Sequence, residues 1–389
     1  MTEMVHGGAA AKPAEPLVPL WWRTVDRWSV TAVLILFVLG LLLGLAASPP
    51  LAARNELPPF YYVIRQAIFG GAALAVMIVV SMLSPTQIRR YAVLGFGAAA
   101  LSVALLPLLG TDFGKGAVRW YSLGFISVQP SEFLKPAFAV FAAWLMAASF
   151  DRSGPPGQLL SFAVAVLMAL LLVLQPDFGQ ASLLLAVWGI MYFIAGAPMV
   201  LLIGLAGAVL GVGVFAYGAS EHFARRIDGF LSPDVDPRTQ LAYATNAIRE
   251  GGFLGVGVGE GNVKWRLPDA HTDFIIAVAA EEYGLVLVLF IILLFLSIVL
   301  RAFARLMRER DPFIRLAGAG LAALLGLQAI INMGVAVRLL PAKGMTLPFI
   351  SYGGSSALAA GLGLGMLLAL TQRRPQDALR DALSGELRG

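Results

Sequence analysis

Cysteine is absent from this 389-residue chain, which excludes disulfide staples, zinc–thiolate sites and thiol nucleophiles. Histidine is nearly absent: His6, His222 and His271 are too few for a histidine-built metal cluster. Charge is scarce as well, at 13%, where a soluble globular domain carries roughly a quarter. With 59% of residues hydrophobic, most of the surface must face lipid rather than water. A pI near 9.6 could suggest nucleic acid, but the basic residues lie between apolar segments and not along one face. Nucleic acid is therefore not expected as a partner, and membrane lipid is.

What is present is a series of long apolar runs. A bilayer-crossing helix needs roughly 17–25 mostly apolar residues. About ten such runs are read: 29–48, 62–83, 91–110, 133–150, 158–174, 177–195, 198–218, 274–300, 315–337 and 354–371. The expected fold is all-α, a polytopic membrane protein with about ten transmembrane helices. The first run exceeds the roughly 7–15 apolar residues of a secretory signal core, so it reads as a retained anchor. With a cytoplasmic N-terminus, 15 Lys and Arg fall in inside segments, including Arg89, Arg90, Arg301, Arg305 and Arg373. Outside segments then hold 5 (Arg54, Lys115, Arg119, Arg338, Lys343) apart from the long loop 219–273. The positive-inside rule thus predicts both termini in the cytoplasm.

The expected organisation is a disordered cytoplasmic N-terminus over 1–20, a transmembrane domain over 21–372 with a large extracytoplasmic loop at 219–273, and a cytoplasmic tail over 373–389. No internal repeat is evident, which disfavours transporters built from paired halves. Within the long loop, Thr239 can cap a helix over 240–249 that Gly251-Gly252 ends, lying on the outer membrane surface. Glycines follow at 255, 257, 259 and 261, then Lys264, Arg266 and Asp269-Ala270-His271-Thr272-Asp273.

Ionisable residues near hydrocarbon are costly and mark function or structural pairing. Glu132 and Lys135 share a helical face three residues apart, as an ion pair or as part of a site. Glu281 and Glu282 point in different directions from one helix, so at least one lines an interior. Asp273 stands where the outer loop meets an apolar helix, able to act as a general base or simply as a helix cap. The glycine run lacks the G-x-G-x-x-G spacing and reads as a flexible or close-approach loop. Ser131 and Lys135 miss the S-x-x-K spacing, so no serine nucleophile is expected. Ser351-Tyr352-Gly353-Gly354-Ser355-Ser356 reads as a polar helix cap or a tight turn near a ligand.

Taken together, Arg119-Trp120, Gln129-Pro130-Ser131-Glu132-Phe133-Leu134-Lys135, Gln175-Pro176-Asp177-Phe178-Gly179, Pro268 to Phe274 and Leu347 to Ser356 resemble the SEDS family (shape, elongation, division and sporulation) over residues 25–372. Gly259-Glu260-Gly261, Val263-Lys264 and Lys343 to Pro348 resemble its cell-division branch more than its elongation branch. Ile276 and Arg338 depart from the usual residues. The resemblance implies a multi-pass protein of the bacterial inner membrane at the division septum that polymerises peptidoglycan from lipid II. It implies Asp273 as the catalytic base. It also implies Arg119, Lys135, Lys264 and Lys343 as contacts to pyrophosphate, with Glu132, His271, Ser351 and Ser355 as further substrate-binding residues. A divalent cation, magnesium or manganese, could assist the leaving group, although no dedicated cage is visible. The implied partners are a class B penicillin-binding transpeptidase of the FtsI type and other division proteins. A lipid II flippase, an elongation-type polymerase and a non-catalytic division scaffold are the competing readings.

Overall fold

The computed structural model describes residues 17–112, 118–124, 126–151, 153–219, 221–231, 239–267, 269–340 and 344–373. Thirteen α-helices dominate them. They are α1 Leu17–Thr24, α2 Arg27–Arg54, α3 Tyr61–Ser81, α4 Pro85–Leu109, α5 Pro130–Ala148, α6 Gly157–Leu174 and α7 Phe178–Ile194. After these come α8 Met199–Ala219, α9 Glu221–Leu231, α10 Gln240–Gly251, α11 Ile275–Leu306, α12 Pro312–Ala336 and α13 Gly354–Leu370. Ten of them fall on the ten apolar runs. Eight are long and apolar enough to cross a membrane, while α7 and α13 are apolar helices of 17 residues. The only sheet among the described residues is a short hairpin, β1 Tyr121–Ser122 with β2 Ser127–Val128, a feature the all-helical expectation did not include.

Local chemistry sets the helix starts. Ser84 and Gln87 form a capping box with Pro85 in the first turn of α4. Asp311 caps α12 through the amides of Phe313 and Ile314. Thr239 caps α10 as the sequence predicts. The helix α1 begins at Leu17, inside the segment 1–20 expected to be disordered; residues 1–16 and 374–389 lie outside the described residues.

The core is built around α5 and α12, two-thirds of whose apolar windows are buried. The helix α5 packs on α4, α12 and α6, and α12 packs also on α11 and α7. The helices α3 and α13 approach closely because Gly361 and Gly365 face the backbone of Ala73 and Met77, where a Cβ would strike the Ala73 carbonyl. This is small-residue packing four positions apart, suited to helices that gain little from hydrophobic exclusion inside lipid. By contrast α8 has no part of its apolar window buried and leans mainly on α9.

The two ends of the described chain meet. The Arg373 amide donates to the Thr24 carbonyl (3.1 Å), and Trp21 Nε1 donates to Ser81 Oγ (2.8 Å). At this same end Asp26 accepts two bonds from Arg301, at 3.0 and 2.9 Å, and lies 3.1 Å from Arg305. The candidate site forms at the opposite end.

Candidate active site

Three loops meet at that end: 252–274 leading into α11, 344–353 leading into α13, and the turn between α2 and α3. Asp273 is half-buried at the junction. The helix α11 begins at Ile275 with its cap position on Phe274, so Asp273 stands one residue before the cap. Segment 344–353 wraps around it. Asn332 Nδ2 donates to the carbonyls of Asp273 (3.0 Å) and Met345 (2.5 Å). Gly344, at φ +61°, passes so close that a Cβ there would lie 3.5 Å from Asp273 Oδ2.

Ser351 is buried and structural in its contacts. Its hydroxyl donates to the Thr272 carbonyl (2.6 Å) and accepts from the Leu347 amide (2.8 Å). The Tyr352 amide donates to the His271 carbonyl (2.9 Å). The His271 ring packs between Tyr62 and Tyr352, with centroids at 5.5 and 5.4 Å. Ser355 is buried on α13 with a hydroxyl that has no hydrogen-bond partner. The stretch 351–356 is thus a tight turn against the Asp273 segment, and α13 has no side-chain cap at Gly353.

Lys264, which the resemblance marks as a pyrophosphate contact, is buried against Glu282 and donates to the Gly259 carbonyl (3.0 Å). A buried cation takes the partner that also satisfies its remaining protons, and Glu282 supplies it here. Both Glu281 and Glu282 turn toward the glycine loop, since Glu281 Oε1 accepts from the Asn262 amide (2.7 Å) and Glu282 Oε2 from the Gly259 amide (3.2 Å). They can do so because α11 is broken at Gly284 (φ +74°), where residues 252–257 pair with it like a strand. The Val256 and Gly257 amides donate to the Glu281 and Glu282 carbonyls at 2.8 and 3.2 Å. A Cβ at Gly255 would collide with the Glu282 backbone, so the glycines serve close approach. The helix α10 likewise packs into the body against α11, with Ala244 fully buried.

Glu132 and Lys135 pair as their spacing predicts, at 2.9 Å and buried, and Gln180 Nε2 adds a bond to Glu132 Oε1 (2.8 Å). They floor a cleft between α5, α12 and α13 with about 30 Å³ of water-sized space, which reaches Gln328, Pro348 and Ser356 and is otherwise lined by leucine and small apolar residues. Gln328 Nε2 holds the Thr346 carbonyl (3.1 Å), so the cleft abuts the segment around Asp273. Arg119 is spent on backbone, donating to the carbonyls of Gln175 (3.0 Å) and Pro176 (2.6 Å). Lys343 lies outside the described residues.

The structure therefore gathers Asp273, His271 and Ser351, sets Glu132 and Lys135 on an adjoining cleft, and places Arg119 and Lys264 in loop-holding bonds. Sequence reasoning missed Gln66, Gln328 and Asn332, polar residues inside apolar runs that hold the loop carbonyls. Gln66 Nε2, for example, bonds Ile350 O (2.8 Å). It also missed Arg65, counted as part of an apolar span. A polar side chain in a lipid-exposed run was the available signal. Among the described residues no group of three or more His, Asp or Glu could hold a metal ion.

Comparison with known proteins agrees with the resemblance. A protein named "Probable peptidoglycan glycosyltransferase FtsW" from Caulobacter vibrioides is 43% identical over 369 residues, covering 94% of each chain. One of the same name from Halorhodospira halophila is 38% identical over 97% of this chain and all of its own. Among solved structures, a chain from a peptidoglycan synthase complex described for the structural coordination of polymerization and crosslinking matches with a TM-score of 0.73 at 29% identity, covering 89% of this chain and 97% of that one. The rod shape determining protein RodA of Thermus thermophilus matches with a TM-score of 0.65 at 27% identity, covering 90% and 97%. The family described as cell cycle protein matches residues 27–376, and the chain belongs to this FtsW/RodA/SpoVE family.

Proposed function

We propose that this multi-pass membrane protein is a peptidoglycan glycosyltransferase that polymerises lipid II at the outer face of the bacterial inner membrane during septal wall synthesis. The observation that carries the reading is the half-buried Asp273 carboxylate at the mouth of a lipid-embedded bundle, framed by segment 344–353. Both termini are assigned to the cytoplasm, by the excess of Arg and Lys at the end where Thr24 and Arg373 meet.

In the reaction a sugar hydroxyl of the acceptor attacks the anomeric carbon of the donor. The new glycosidic bond forms as the bond to pyrophosphate breaks, and Asp273 accepts the hydroxyl proton. Positive charge must meet the departing polyprenyl pyrophosphate. Lys343 is assigned to that task in preference to Arg119 and Lys264, whose described contacts tie them to loop backbone and to Glu282. A divalent cation would bind through the substrate's phosphates and one carboxylate, the usual pattern for magnesium. The partner that cross-links the product is assigned as a class B penicillin-binding transpeptidase.

The test is lipid II polymerisation by the purified chain and by Asp273→Asn, with and without that transpeptidase. Asp273→Asn should lose polymer formation while keeping its melting behaviour; a folded variant with near-normal activity removes Asp273 from the reaction. A flippase alone would form no polymer from lipid II supplied on the outer side.

A further inference from the structure

Beside the Asp273 segment lies a cluster that the mechanism above does not use. Tyr62, Tyr352 and His271 each touch the other two, with ring centroids 5.4 to 5.5 Å apart. Tyr61 meets Tyr62 edge-on at 5.2 Å. His271 is buried at the back, whereas Tyr61, Tyr62 and Tyr352 are half-buried and keep part of each ring at the surface. The Tyr62 hydroxyl turns toward the end of α2, where Asn55 Nδ2 donates to it (2.8 Å). Arg65, one turn further into α3, lies over the rings of Tyr61 and Phe69 at 5.5 and 5.7 Å and donates to the Tyr61 hydroxyl (3.0 Å).

An arginine in the first turns of an apolar helix is costly, and rings alone could pack with an aliphatic residue there. Its fork matches phosphate oxygens, and its stacking on rings fixes the plane in which it would meet them. Phenol rings offer apolar faces to the C–H face of a pyranose and hydroxyls to its polar edge. Burial raises the Tyr352 phenol pKa, against the opposing effect of the Arg65 charge. The cluster is tied to the reacting carboxylate by backbone, because Tyr352 binds the His271 carbonyl two residues before Asp273.

We propose that Tyr61, Tyr62, Tyr352 and Arg65 form a saccharide–phosphate subsite that seats the phosphorylated sugar of the substrate beside Asp273, an inference that rests on the glycosyltransferase reading. The aromatic rings hold the sugar, and Arg65 holds the phosphate.

Binding is measured with the full chain in nanodiscs carrying Asp273→Asn, using lipid II and, separately, undecaprenyl pyrophosphate without sugar. Arg65→Met should weaken both ligands by roughly tenfold or more, the effect of losing a charge-assisted bond to an anion, and Arg65→Lys should recover part of it. Tyr352→Leu and Tyr62→Leu should weaken lipid II alone, while Tyr352→Phe keeps most of the affinity. Thermal melting establishes folding, and the Arg65 variants carry the test if a tyrosine variant is unstable. Unchanged affinities in folded Arg65→Met overturn the subsite, as does equal weakening of both ligands by the tyrosine variants. Either result leaves the polymerase reading intact; that reading falls separately if Asp273→Asn makes polymer.

Discussion

Ser351 binds Thr272: its hydroxyl donates to the Thr272 carbonyl at 2.6 Å while accepting from the Leu347 amide at 2.8 Å. One buried oxygen thereby joins the turn before α13 to the residue preceding Asp273. Ser351→Ala leaves both groups buried without their partner, at a cost of about 1–3 kcal/mol. Melting temperature should fall, and polymerisation should fall further than stability alone explains, because the carboxylate loses its frame. A steady-state assay showing unchanged kcat would separate Ser351 from the positioning of Asp273.

Lys264 and Glu282 form a buried pair that pins the glycine loop to the break in α11. Removing one partner strands the other charge, at about 3–5 kcal/mol. Lys264→Met should therefore destabilise the protein strongly, whereas the double change Lys264→Met with Glu282→Leu should recover much of the loss. A thermal-shift series on the two single variants and the double variant reads this directly. If the single variant melts as the parent does, the pair does not anchor the loop.

Gly255 has φ +83°, and a Cβ there would strike the Glu282 backbone. Gly255→Ala should lift residues 252–257 away from α11. Faster proteolysis or hydrogen exchange in that loop is the expected signature; unaltered exchange would contradict the strand-like pairing.

Asp26 gives a pH dependence at the opposite end. Burial alone would raise its carboxyl, but bonds from Arg301 and Ser29 and the charge of Arg305 outweigh that and hold it below the ordinary carboxylate value. A lowered folded-state pKa contributes stability that is present above the unfolded value, near 4, and is lost as pH falls through the folded one. Thermal melts from pH 6 down to pH 3 should show a decline in the parent that Asp26→Asn lacks. Parallel curves for the two proteins would rule the linkage out.

Amphipathic and cap chemistry made much of the architecture legible. Ten apolar runs became ten helices, Thr239 capped α10, and Glu132 met Lys135, because each depends on neighbours three or four residues apart. The partner of Lys264 was not legible because it is 18 residues away, behind a helix break that glycine spacing alone does not announce.

What the sequence determined on its own is therefore the membrane setting, the series of apolar helices and the place of Asp273 at the head of one of them. Length, hydropathy and local hydrogen bonding suffice for those. Which loop carbonyls Gln66, Gln328 and Asn332 would hold, which charges would be spent on structure, and that Tyr62, His271 and Tyr352 would share one cluster were decided by tertiary packing. Inside lipid each buried polar group must find a partner wherever the fold brings one, and that distance in space is not written in distance along the chain.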